Sequence, residues 1–373
     1  MNNKIIIKKD DKICRFFVGT YTMPIRFGTG QVLEGKGKGI YRIAFDEENR
    51  KLWTEEVYEG IDNPSYLALS PNGRCLYAVN ELKEYEGQTG GSVSAFRIEE
   101  SGGLRLLNVL PTKGEDPCHV AVDAAGKNLY VANFMSGSIA AFGLDEDGSL
   151  RETLGFFQHE GRSLRDDRQA GPHAHSVTLT PDGSLALAPD LGIDRVEAYR
   201  VENGGRLEPD SGRGRCLPPG SGPRYCTFSP DGHFCYLINE LSCSITVFAC
   251  DRDFCLRPIQ TVSSIPGQPE DGKDLCAHLA LTPDGKFLYS SNRGHDSISA
   301  FKVGQDGKLA FVGNQSCGGK TPRHFCVTPS GRHLLCGNQD SDSVTCFSIG
   351  KDGMPEYRTQ LWVPTPVCVL PWS

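Results

Sequence analysis

No run of the 373-residue chain approaches the ~18 consecutive apolar residues that a membrane-spanning helix needs, so no such helix is expected. No CxxC pair occurs, and the fifteen cysteines are odd in number, which argues against a disulfide framework or a cysteine-type zinc cluster. Several of them, Cys226, Cys235, Cys326, Cys336 and Cys346, fall inside apolar runs and read as reduced, buried core fillers. Positive charge is also short: 39 Lys and Arg face 46 Asp and Glu, a net charge of −7. That balance excludes a general role on nucleic acid or an anionic membrane, although a local basic pocket remains compatible with it. The opening MNNKIIIKKDDK sets only three isoleucines between lysines, too few for the apolar heart of a secretory signal, so a cytoplasmic protein is expected. No long amphipathic helix can be marked. What the chain does have is a core-forming share of hydrophobic residues, 38%, and a wealth of turn formers, 43 Gly and 23 Pro.

The turn formers recur in order. SPNG ends at Gly73, DAAG at Gly126, TPDG at Gly183, SPDG at Gly232, TPDG at Gly285 and TPSG at Gly331, at spacings of 53, 57, 49, 53 and 46 residues. Each is followed by a short apolar run, such as CLYAVN, NLYVAN or FCYLIN, then by a second, such as GSIAAFGL or DSISAFKV, and often by a closing DG turn. Short β-branched and aromatic strands at a period near 50 predict four-stranded antiparallel units arranged as a β-propeller. The C-terminal TPVCVLPWS matches the strand before each turn, and the N-terminal RFFVGTYT matches the strand after one. The two ends therefore predict a shared seventh blade that closes the ring and removes its open edges. The expected organisation is an N-terminal extension over 1–14 and one all-β, seven-bladed domain over 15–373, monomeric because the ring closes on itself.

Alignment on the turn glycine predicts what faces the central mouth. Eight residues before it stand Ser65, Cys118, His175, Arg224, Ala277 and Arg323; eight after it stand Glu81, Phe134, Leu191, Glu240, Arg293 and Gln339. Seven after it comes a repeating Asn or Asp, including Asn239 and Asn292, whose plain reading is a strand-end backbone cap. The neighbouring positions vary by blade. They gather one imidazole, one carboxylate and three guanidiniums at one opening, which predicts an anion pocket. The bland alternative is blade-to-blade ion pairing. His173 and His175 form an HxH pair that would set both rings on one strand face, but no third metal ligand is evident. His119, His278 and His324 fall one residue later and are expected to pack between blades. Residues 159–173, HEGRSLRDDRQAGPH, lengthen one blade and read equally as a lid or a solvated loop.

FVGTYT, NPSYLALSPNG, RQAGPHAHSV, GPRYCTFSPDG, INEL and SNRGHDSI, in this order, resemble the seven-bladed propeller lactonase family. That family includes propeller-type 6-phosphogluconolactonases and fungal carboxy-cis,cis-muconate cyclases, and the resemblance runs from about Arg15 to Trp372. It implies His175, Glu240, Arg224 and Arg293 as catalytic residues, the same four that the register brings to the mouth. Phe134 departs from the tyrosine often found there. The implied activity is hydrolysis of a small anionic sugar lactone, favouring 6-phospho-D-glucono-1,5-lactone, with no cofactor and no metal. His175, expected to titrate near neutrality, and Glu240 are expected to share the proton transfer, either one taking the water's proton, with Arg224 and Arg293 on the oxyanion and the substrate's phosphate or carboxylate. Arg323, His173, Asn239, Asn292 and Gln339 are expected to complete substrate binding. The alternatives are a muconate-type cycloisomerase, a calcium-dependent lactonase using Glu81, Glu240 and the Asn ring, and a non-catalytic platform. The platform reading gains nothing from the three tryptophans, Trp53, Trp362 and Trp372, all near the ring closure.

Overall fold

The computed structural model describes residues 13–26 and 30–372. Seven antiparallel blades surround a central channel. Blades one to six follow in chain order, and each starts at the channel: Pro64–Leu69, Pro117–Val122, Thr178–Leu179, Pro223–Phe228, Leu275–Leu281 and Pro322–Val327 are the innermost strands. The closing blade has Pro366–Trp372 innermost, then Ile13–Thr20, Gly39–Asp46 and Lys51–Glu59. Chain ends thus pair as expected, from Arg15 opposite Trp372 to Thr20 opposite Pro366. The third blade departs from the pattern, because its outer strand is broken into Leu207–Pro209 and Arg215–Cys216. The expected extension over 1–14 falls mostly outside the described residues.

The repeated motifs have a mechanical reason. Each turn glycine takes a left-handed backbone, with φ between 66° and 74°, which side-chain-bearing residues enter at a cost. The Ser or Thr and the Asp around it tie the turn: Thr180 Oγ1 donates to Asp182 Oδ1 at 2.7 Å, and the Ser184 amide donates to the same oxygen at 3.0 Å. The tyrosine in the following strand reaches the closing glycine turn of the next blade, a DG turn in three blades and Gly204-Gly205 in the third blade. Tyr77, Tyr130, Tyr236 and Tyr289 donate to the carbonyls of Gly148, Gly205, Gly307 and Gly353 at 2.8–3.1 Å. Those turn glycines pack too closely for a side chain, since a Cβ on Gly307 would lie 2.2 Å from the Phe234 ring. One motif therefore folds its own blade and fastens it to the next.

Between blades the inward faces interlock into apolar clusters, such as Tyr236, Ile238 and Val247 of blade four against Leu279, Leu288 and Phe301 of blade five. The five cysteines singled out in strands are all buried and free, and they pack as small hydrophobes in these layers.

Candidate active site

The same rim of the ring carries a cavity of about 400 Å³. Its walls include Glu81, Phe134, His175, Glu240, Arg293, Arg323 and Gln339, all positions that the register sets at one height. Three segments between strands raise the rim and contribute Gln31 and Leu33, Arg168, and Lys273.

Glu240 is the electrostatic centre. Its Oε2 accepts from Arg224 Nε at 2.9 Å and Arg293 Nη2 at 2.8 Å, and its Oε1 accepts from Arg168 Nη2 at 2.6 Å. Burial alone would raise this carboxyl, but Arg293, Arg168 and Arg224 hold it well below the ordinary range, so it stays ionised. Arg224 is placed deeper than expected. It lines a small chamber beneath the cavity, not the cavity itself, and its Nη1 donates to the Ala277 carbonyl. Burial and the neighbouring Arg293 lower its pKa to about 10. Arg293 does face the cavity, anchored on the Cys276 carbonyl at 3.1 Å, while its buried Nε has no hydrogen-bond partner among the described residues.

His175 differs from expectation in one respect that matters. Burial, together with the Arg224 charge, pushes its pKa well below the usual imidazole value, so the ring is neutral at physiological pH. Its Nδ1 lies 3.6 Å from the Cys118 sulfur, leaving Nε2 as the nitrogen available to the cavity. Burial raises the Cys118 thiol well above its ordinary value, so this neighbour is not a thiolate nucleophile. Phe134 takes the place of a hydroxyl-bearing ring. It stacks on His173 at 4.7 Å and meets His175 edge-on at 5.2 Å.

The opposite wall is a second, separate pair. Arg323 Nη2 stands 3.9 Å from Glu81 Oε1 and over the Tyr21 ring, whose hydroxyl donates to Glu81 Oε2 at 3.0 Å. Gln339 Oε1 accepts from Arg323 Nη1 at 3.5 Å. Burial raises the Glu81 carboxyl against the pull of Arg323.

Three of the expected binding residues are not at the cavity wall. His173 turns its Nδ1 to the Phe134 carbonyl at 3.0 Å. Asn239 donates to Ser244 and Thr246, and Asn292 to Ser297 and Ser299, all at 3.0–3.1 Å. These amides stitch strand ends together, because a buried amide flanked by hydroxyls bonds them first. His119, His278 and His324 join Tyr66 and Tyr225 in a closed circuit of ring contacts below the cavity, with centroids 3.9–5.7 Å apart. Among the described residues no group of three or more His, Cys, Asp or Glu is placed to hold a metal ion.

The residue that register alignment missed is Arg168. Residues 159–173 have no counterpart in the other blades, so a repeat alignment cannot position them; the clue was the RQAGPH string running straight into His175. The segment is built in, not merely solvated. His159 bonds Asp190 and Tyr199, each at 2.7 Å, and buried Gln169 donates to the Leu191 carbonyl at 2.8 Å. Arg165 spans to Asp271 on the neighbouring rim segment at 2.7 Å.

A closed seven-bladed ring carries at its rim an ionised, triply clamped carboxylate beside a neutral imidazole. The chain belongs to the seven-bladed β-propeller lactonase family, whose model matches residues 15–371. It is 36% identical over 310 residues, 82% of this chain and 83% of the relative, to the 6-phosphogluconolactonase of Bacillus subtilis. A Bacteroides fragilis protein provisionally assigned as a 6-phosphogluconolactonase superposes with a TM-score of 0.88 at 33% identity, covering 100% of both chains. The periplasmic gluconolactonase of Pseudomonas aeruginosa superposes at 0.87 and 32% identity, covering 97% of this chain and 99% of that one.

Proposed function

We propose that this lactonase hydrolyses 6-phospho-D-glucono-1,5-lactone to 6-phosphogluconate. The observation that carries the reading is the Glu240 cluster: three guanidiniums around one carboxylate leave two positive charges uncompensated in an otherwise acidic protein. That surplus suits an anionic lactone.

In this reading the neutral His175 Nε2 takes a proton from water as its oxygen attacks the lactone carbonyl carbon. The carbonyl oxygen becomes an oxyanion facing the Arg293 guanidinium, which lines the cavity. The tetrahedral centre then collapses, breaking the bond to the ring oxygen, and His175 returns its proton to that oxygen. The carboxylic acid product loses its own proton to solvent. Glu240 holds Arg293 in place and favours the transient imidazolium; it does not take the water's proton. Arg323 and Gln339 on the opposite wall serve the sugar hydroxyls.

The same reading makes the protein a cytoplasmic monomer supplying the pentose phosphate pathway. Its many buried free thiols suit a reducing compartment, and the ring is closed by the pairing of the strands at its two chain ends. The test is hydrolysis of freshly made lactone, followed by coupled detection of 6-phosphogluconate over the spontaneous background. A rate above background supports the reading, and a rate equal to background sinks it.

A further inference from the structure

Two of the cavity's cations are brought in by rim segments that the repeat does not require: Arg168 from residues 159–173 and Lys273 from residues 266–274. The segments are fastened to each other through Arg165 and Asp271, and the first is pinned beneath by Gln169. Lys273 is exposed and already paired with Glu270 at 2.7 Å. Arg168 is different. Its guanidinium is largely buried in the wall, and among the described residues its one side-chain bond is the 2.6 Å contact to Glu240. Arginine carries five N–H donors in a planar fork, so most of the Arg168 donors are unspent at the cavity. Arg293 beside it is occupied by the Cys276 carbonyl and Glu240, and it faces the reacting carbonyl in the mechanism above. The carboxylates Asp116 and Asp340 lie elsewhere in the lining, held by Lys83 and by Thr321 and Gln339. The positive surplus is therefore concentrated at the Arg168 end.

We infer that Arg168 is a specificity-determining residue: it binds the substrate's phosphate through its free N–H fork, so residues 159–173 set the preference for phosphorylated over unphosphorylated lactones. A phosphate monoester brings close to two negative charges, which match the two that the Glu240 cluster leaves over. An unphosphorylated lactone brings none and gains nothing from Arg168. The inference rests on the lactonase reading above.

The test compares wild type, Arg168→Gln and Arg168→Lys on 6-phosphoglucono-δ-lactone and glucono-δ-lactone, with calorimetric binding of 6-phosphogluconate and gluconate alongside. Losing one charge-assisted contact should lower the kcat/KM ratio of phosphorylated to plain lactone by about 10- to 100-fold, mostly through KM, with lysine recovering part of it. Equal loss on both lactones would reduce Arg168 to a prop for Glu240 and overturn the inference; so would no loss on either. If wild type hydrolyses neither lactone, the hydrolase reading fails by itself. Calorimetry then still decides Arg168: weaker binding of 6-phosphogluconate alone supports it, and unchanged binding refutes it. Circular dichroism of each variant identifies any that has unfolded, and the lysine variant then carries the comparison.

Discussion

Replacing Glu240 by Gln tests the clamp at its centre. The carboxylate receives three charge-assisted bonds of 2.6, 2.8 and 2.9 Å, and the side chains of Glu240, Arg224, Arg168 and Arg293 are 3%, 8%, 12% and 15% exposed. Glutamine keeps the shape but removes the charge, and its amide NH₂ must face at least one guanidinium. Breaking a buried pair by removing one partner costs roughly 3–5 kcal/mol. With an unfolding entropy of roughly 0.8 kcal/mol/K for a chain this long, that corresponds to a Tm lowered by about 4–6 °C. The assay is thermal unfolding in a buffer free of phosphate and sulfate. Inorganic phosphate should then restore part of the loss in the variant, because an anion can replace the missing charge. The pH dependence follows from the depressed folded-state pKa of Glu240. Its contribution is complete above the unfolded carboxylate pKa of about 4.3 and is lost only as pH falls through the lower folded value, so the gap between wild type and variant stays open at neutrality and closes in acid. A Tm within about 1 °C of wild type at pH 7 would refute the claim that these arginines depend on Glu240.

His175→Ala should lower kcat by about 10²- to 10⁴-fold, with little change in Tm, as measured in the coupled lactone assay. Because burial and Arg224 keep that imidazole neutral, kcat/KM of wild type should stay flat as pH falls through 6.5, where an ordinary histidine base would lose half its activity; a midpoint near 6.5 would contradict the assignment. Gln169→Ala removes the Leu191 anchor and the bond from the Arg165 amide, so KM for the phosphorylated lactone should rise roughly 5-fold per bond lost while kcat holds. Chelator should leave the rate unchanged, since both Glu240 oxygens are taken by cations that would repel a divalent ion; loss of activity restored by calcium would overturn this.

The ring was legible because its grammar is local. A left-handed glycine, a capped turn and two short strands repeat at near-constant spacing, and the tyrosine and the closing-turn glycine that fasten neighbouring blades repeat with them. The height of the site was legible for the same reason: residues at equal distance from equivalent glycines end at the same rim. Register does not give depth or direction. It could not tell that Arg224 lies under the floor, or that Asn239 and Asn292 turn to hydroxyls on the next strand. It could not give the proton affinity of His175 either, which depends on burial and on a charge from another blade. Arg168 escaped because an insertion has nothing to be aligned with.

The antiparallel join between Ile13–Thr20 and Pro366–Trp372 fixes how the ring yields to force. Arg15 lies opposite Trp372, at the loose end of both strands, so pulling residues 13 and 372 apart peels the ladder one rung at a time instead of shearing all its rungs together. The opening starts at Arg15 and travels toward Thr20. Immediately beyond Thr20, Tyr21 bonds the Thr365 carbonyl and, through its hydroxyl, Glu81 in the cavity wall. A tethered molecule should therefore part at low force, with the cavity wall the last section of the seam to let go.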